Sequence, residues 1–224
     1  MINVLANNMV YSSLGFGMAV VFFLLTVVFS LSNYRRKQGR NYSFLNEFPY
    51  ELSQGIEQRF VIYLYFSQMM QALGFVLFGF YAFVDLAHYF GIVLIVSWTI
   101  TALLGASIFF VKLRSMKGHI AIVSCLIAFT LVNAVFLGIY IYKTIYLDAP
   151  LILPIICWVL AAIVAFLAIN PALKRWPFMD KIEQQDGTII ILRPKFFVLA
   201  YTEWAIIFIN MLLLLVGFIA HFFI

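Results

Sequence analysis

Val20-Val21-Phe22-Phe23-Leu24-Leu25 is apolar on every face, and so is Leu212-Leu213-Leu214-Leu215-Val216. A strand of a membrane barrel alternates apolar and polar residues at period 2 over about ten residues. Neither run alternates. A helix satisfies its own backbone polar groups, so such runs read as membrane-spanning helices. Working outward, apolar stretches of comparable length lie at 10–31, 60–84, 89–111, 119–142, 149–170 and 204–224. About 20 residues of helix cross the roughly 30 Å hydrocarbon core. The expectation is an all-α polytopic membrane protein, a bundle of six transmembrane helices forming one membrane domain over 1–224.

Composition agrees with this. The chain is 65% apolar and only 10% charged, against about 45–50% and about 25% in an ordinary soluble domain. A soluble fold needs more polar cover than that. The basic residues then orient the bundle. Arg35, Arg36, Lys37, Arg40 and Arg59 fall in the loop 32–59, Lys112, Arg114 and Lys117 in 112–118, and Lys174, Arg175, Lys181, Arg193 and Lys195 in 171–203. Only Lys143 falls on the other side. Basic loops stay cytoplasmic, so these three loops are expected inside a cell membrane, with both termini outside. The net charge of +5 is thus a topology signal with anionic lipid headgroups as its natural partner. No basic face on a soluble module suggests nucleic acid. Met1 to Asn8 has no basic n-region, so the first span reads as a retained helix.

Local chemistry marks several span ends. Asn170-Pro171 closes the fifth, because the residue before proline is pushed out of the helical region, and Trp176 follows at interfacial depth. Asp85-Leu86-Ala87-His88 and Arg114-Ser115-Met116-Lys117-Gly118 are links short enough to make their helices antiparallel neighbours. In loop 32–59, Leu52, Ile56 and Phe60 are four apart, which predicts that the second span extends inward as an amphipathic helix from about Pro49. Phe44, Leu45, Phe48 and Tyr50 are then expected beside it in the membrane interface. In loop 171–203, Asp186-Gly187 lies between β-prone runs. A small cytoplasmic β-hairpin and a simple turn are equally open there.

Candidate chemistry is sparse. Cys125 and Cys157 fall at depths roughly 10 Å apart along the normal, beyond disulfide reach, and read as small buried residues. His88, His119 and His221 are scattered over both ends, and no HExxH or CxxC motif is present. Neither a metal site nor a cofactor site is therefore expected. Ala102 and Ala106, and Ala161 and Ala165, have the spacing of close helix contacts.

Two polar features remain. Glu203 is a coupling carboxylate if the last span begins near Phe196, since intramembrane carboxylates are expensive and functional. If that span begins near Trp204, Glu203 faces the inner headgroups beside Arg193 or Lys195, and this reading is favoured. The second feature is a mid-membrane belt containing Gln68, Gln71, Thr99, Thr130, Asn133 and Asn210, with Ser67, Ser97 and Thr101 at similar depth. Amides facing lipid would lose their hydrogen bonds, so these faces should point inward. They form either a polar pocket for a neutral or zwitterionic ligand, or glue between helices worth about 0.6–2 kcal/mol per contact. The cluster Arg35, Arg36, Lys37 and Arg40 is expected to bind anionic headgroups.

Three functions are compatible with these residues. A non-catalytic accessory or assembly component would contact a protein partner, a second copy of the chain or anionic lipid through its inner loops. A small transporter or ligand-binding bundle would use the mid-membrane amides. A lipid-modifying enzyme would draw on Glu47, Glu51, His119 or Asp180, though no spacing singles these out. By elimination the accessory reading stands first, since catalysis needs a converging set of groups.

Overall fold

The computed structural model describes residues 2–84, 89–110, 116–144, 151–171, 173, 181–183, 189–191 and 195–221. Among these, the chain forms α1 (Ile2–Gln38), α2 (Pro49–Gln54), α3 (Gln58–Phe83), α4 (Tyr89–Ser107), α5 (Met116–Thr144), α6 (Ile152–Ala168) and α7 (Val198–His221), with β1 (Lys181–Glu183) and β2 (Ile189–Ile191) before the last helix. Five helices, α1, α3, α4, α5 and α7, are long and apolar enough to cross a membrane by length and composition. Their outward faces carry large apolar side chains such as Val28, Ile62, Phe66, Ile92, Val96 and Leu212, all exposed. Such a surface suits lipid rather than water, and the protein is a helical membrane bundle.

α1 runs antiparallel along α3, with Tyr11 stacked on Tyr81 at one end and Phe29 edge-on to Phe60 at the other. Their closest approach is at Gly15 and Gly74. A Cβ at Gly15 would lie 2.5 Å from the Phe78 nitrogen, and one at Gly74 2.5 Å from the Ala19 nitrogen. Here the absence of a side chain lets two backbones touch. The contact involves neither alanine pair expected from sequence. α4 packs antiparallel between α3 and α5, and α6 lies against α5 and α7. α5 and α7 begin at the same end, because His119 near the start of one meets Glu203 near the start of the other. Arg35, Arg36, Lys37, Arg40 and Arg59 gather at this end, called the basic end below.

The helix ends follow from local chemistry. α1 stops at Gly39, which takes φ 67° and donates its N–H to the Arg35 carbonyl, the left-handed stop that glycine allows. Arg35, Arg36 and Lys37 in the final turn suit the negative end of the helix dipole. α2 opens with Pro49, and Glu51 reaches back to accept the Phe48 N–H at 2.9 Å.

Several expectations change. The amphipathic extension from Pro49 is not continuous with the second span. α2 ends at Gln54, residues 55–57 break the helix, and α3 starts at Gln58. Gly55 sits at the break because the Tyr34 ring occupies the space a Cβ would need. Phe48 and Tyr50 are buried against the protein, not laid in the interface, whereas Leu45 is exposed. The helix of the third span ends at Ser107, and Ile108 and Phe109 turn inward and are buried. The fifth stretch is helical over 17 residues only. β1 and β2 pair antiparallel, Ile182 opposite Ile190. Asp186-Gly187, Asp85 to His88, Arg114-Ser115 and Trp176 lie outside the described residues.

Candidate functional site at the basic end of the bundle

Glu203 lies on the inward face of α7. Sequence alone favours a headgroup position for it. The structure buries it completely, because α7 begins five residues earlier at Val198 and this turn packs against α5. Its partner is His119, also buried. The imidazole Nε2 and the carboxylate Oε1 are 2.8 Å apart. The other carboxylate oxygen, Oε2, is buried without a hydrogen-bond partner among the described residues. The two residues are 84 apart in sequence, so nothing local in the sequence joins them.

The loop between α1 and α3 covers the pair. The rings of Phe48 and Tyr50 meet His119 edge-on at 5.8 and 5.7 Å. Phe197, Leu199 and Ala200 complete this apolar cluster with them. The backbone of the loop is tied to α7 twice. The Phe197 N–H donates to the Leu45 carbonyl at 2.8 Å. The Trp204 indole N–H lies 3.0 Å from both the Tyr42 hydroxyl oxygen and the Glu47 carbonyl. Tyr42 in turn donates to the Phe48 carbonyl at 2.7 Å. Burial pushes the Tyr42 hydroxyl well up, so it stays protonated and keeps donating.

Glu47 holds the loop closed. Its carboxylate accepts both Arg40 Nη groups, at 3.0 and 2.6 Å, the Tyr34 hydroxyl at 2.5 Å and the Ser43 N–H at 2.7 Å. Burial alone would raise its pKa, but the donors from Arg40, Tyr34 and Ser43 outweigh this and hold the carboxyl below its usual range. Two-pronged Arg–carboxylate bonds are among the stronger polar contacts.

The basic cluster is therefore committed to structure at three of its four positions. Arg36 pairs with Glu57 at 3.2 Å, Lys37 donates to the Gln54 and Ile56 carbonyls, and Arg40 is bound by Glu47. Arg35 makes no such strap among the described contacts. Arg36 and Lys37 tie down the end of α2 and the residues after it, and Arg40 the loop before α2.

A cavity of about 30 Å³ lies further into the bundle, lined by Gln68, Gln71, Thr101, Leu126, Ile207 and Asn210 among others. That is room for about two water molecules. Ile207 and Asn210 are four and seven residues beyond Glu203 on α7, so the cavity and the pair share one helix face. The mid-membrane belt divides in two. Asn133 is fully engaged, accepting from Ser97 at 2.5 Å and donating to Thr101 at 2.9 Å. Asn210 donates to Thr130 and to the Ile206 carbonyl, both at 2.9 Å. Thr130 and Thr99 bond the carbonyls one turn back, Leu126 and Ile95. Gln68 and Gln71 differ. Among the described residues Gln68 Nε2 and Gln71 Oε1 are buried with no partner, and Gln71 Nε2 meets the Met211 sulfur at 3.7 Å.

Cys125 and Cys157 are both free thiols, the first exposed and the second buried. Among the described residues no three His, Cys, Asp or Glu side chains converge on one point. His119 and Glu47 are the residues that sequence reasoning left undistinguished. Each is a single polar residue whose importance lies in a distant partner, and no spacing carries that. Comparison with protein-family models, with curated proteins and with solved structures finds no match.

Proposed function

We propose that the protein is a six-span membrane bundle that binds a small neutral solute between α3, α4, α5 and α7, at the cavity lined by Gln68 and Gln71. The observation carrying this is the pair of amide atoms, Gln68 Nε2 and Gln71 Oε1, unpartnered among the described residues, beside a largely apolar cavity between these helices. A buried polar atom without a partner costs about 1–3 kcal/mol. Two such atoms at one cavity favour a ligand or water over simple packing. They supply one donor and one acceptor and no charge, which suits water, an alcohol or a small amide. Asn133, by contrast, has both its amide atoms engaged and serves as glue between α4 and α5.

Six crossings are supported by chain direction. α5 and α7 start at the same end, so the chain must return between them, and α6 is the helix available. At 17 residues it reaches about 26 Å at 1.5 Å per residue, within the lower range for a span. With the basic end placed inside, both termini lie outside a cell membrane.

Stopped-flow permeability of proteoliposomes containing the full chain tests the solute reading, with water, urea and glycerol as probes. Entry of at least one probe should exceed that of protein-free vesicles and fall in a Gln68→Leu, Gln71→Leu double variant. Equal permeability for all three with and without protein would overturn it.

The accessory reading keeps one observation in its favour. Leu45 and Phe196 are both exposed, and the Phe197 N–H bond to the Leu45 carbonyl joins these two stretches of chain at the basic end. Together with Arg35 they offer an apolar and cationic contact for an anionic bilayer surface or a partner protein. A Leu45→Asp, Phe196→Asp variant that loses a stoichiometric partner on purification would support it.

A further inference from the structure

We propose that His119 and Glu203 form a proton-binding site inside the bundle, with Glu203 Oε2 as the atom that takes the proton and the α1–α3 loop as its cover. This site is separate from the cavity, and its test does not depend on solute passage.

The two side chains share one short contact, Nε2 to Oε1 at 2.8 Å, and neither is exposed. One proton between them keeps the pair neutral, whether it is drawn as imidazolium and carboxylate or as imidazole and carboxylic acid. Oε1 faces the imidazole, so the only carboxylate oxygen left to receive a further proton is Oε2, which is buried without a partner. A proton arriving from water on Oε2 leaves an imidazolium beside a carboxylic acid and gives the pair a charge of one. Such a buried charge is costly without a counter-charge or water. Among the described residues, the titratable and charged groups beside the pair come from the loop side. Tyr50 and Glu51 come from α2, Tyr42 and Glu47 from the preceding loop, and Arg40 stands behind Glu47. α7 contributes Trp204, whose indole N–H reaches this same loop at Tyr42 and Glu47, and Phe109, after α4, meets the Trp204 ring edge-on at 5.9 Å.

The route for the proton is therefore through the loop. Phe48 and Tyr50 close over His119, and Glu47 holds them there through Arg40, Tyr34 and the Ser43 N–H. Arg40 is 57% exposed, so the tie is open to solvent on one side. When it opens, water reaches Oε2 from the basic end.

Dicyclohexylcarbodiimide, an apolar reagent that modifies protonated carboxyl groups, provides the test. The full chain is reconstituted in phosphatidylcholine vesicles, treated with the reagent and mapped by mass spectrometry. An adduct at Glu203 is expected, increasing as the medium is taken from about pH 8 to about pH 5. Glu47→Gln, which weakens the tie to Arg40, should accelerate it. His119→Gln, which removes the titrating partner and keeps a hydrogen-bonding group, should move the pH midpoint of labelling. Absence of the adduct at every pH, in protein whose Glu57 is modified by a water-soluble carbodiimide, would overturn the site. Labelling that ignores pH would do the same. Labelling unchanged in Glu47→Gln would overturn the role of the loop as a cover.

Discussion

Glu47 shows how much one side chain can organise. Four donors converge on its carboxylate and tie three turns of sequence, Tyr34, Arg40 and Ser43, to one point. Because its folded pKa is depressed, its contribution is fully present above the unfolded value and is lost as pH falls through the lower folded value. The loop should therefore hold at neutral pH and loosen below about pH 4. Limited proteolysis within residues 40–48 should appear only in that acid range, and at neutral pH in Glu47→Ala. Hydrogen bonds to charged groups contribute about 1.5–3 kcal/mol, so Glu47→Ala should lower the thermal midpoint in detergent clearly. Glu203→Ala removes the Nε2 partner of a buried histidine. It should cost about 1–3 kcal/mol, whereas Glu203→Gln, which can still meet Nε2, should cost less. Asn133→Leu deletes two interhelical bonds but leaves Ser97 within reach of the Leu94 carbonyl at 3.3 Å. Its expected cost is about 1 kcal/mol, in line with other polar contacts in membranes.

At the scale of elements, the α1–α3 pair carries the closest packing. Gly15 and Gly74 each have backbone from the opposite helix within 3 Å of where a Cβ would sit. Gly15→Leu should separate the helices and cost about 1–3 kcal/mol or more as overpacking. Gly17, two residues from Gly15 and from Ala19, has open space around it. Gly17→Leu should leave the thermal midpoint near that of the parent, and the contrast between the two variants measures the contact. The small-residue signal at Ala102 and Ala106 was visible in sequence, and those alanines are buried. The Gly15, Ala19 and Gly74 contact was not singled out, because spacing within one helix does not say which small face another helix will meet. The break after α2 has a similar origin. The apolar spacing of Leu52, Ile56 and Phe60 suggests one continuous helix, but Tyr34 packs where a Cβ on residue 55 would be, and the chain turns there.

For the whole molecule, orientation is the property most open to test. With the basic end inside, a glycosylation acceptor or a cysteine placed beside Lys143 should be reachable from outside intact cells or vesicles. One placed beside Arg36 should be reachable only after permeabilisation. The reverse pattern would reject the assignment of both termini to the outer side. The same experiment with a tag near Asn170 reports on α6: an inner position requires that this short helix crosses.

Hydropathy and charge act on each residue regardless of its partners, and what depends on them was legible in the sequence. The run at 20–25 and the apolar stretches around it determine a helical chain with spans long and apolar enough to cross a membrane, and the described cations Arg35, Arg36, Lys37, Arg40 and Arg59 lie at one end. What depends on which side chain faces which was decided by tertiary structure. Four mid-membrane amides look equivalent in sequence, yet Asn133 and Asn210 are bonded across helices while Gln68 and Gln71 keep unpaired atoms at a cavity. Glu203 reads as an interfacial charge until α7 is seen to start at Val198 and rotate it onto His119. Nothing in the sequence shows that Glu57 and Glu47 pair with Arg36 and Arg40, which remain largely exposed. In each case the physical reason is the same: a buried polar group is defined by its partner, and helix rotation and packing choose that partner from far along the chain.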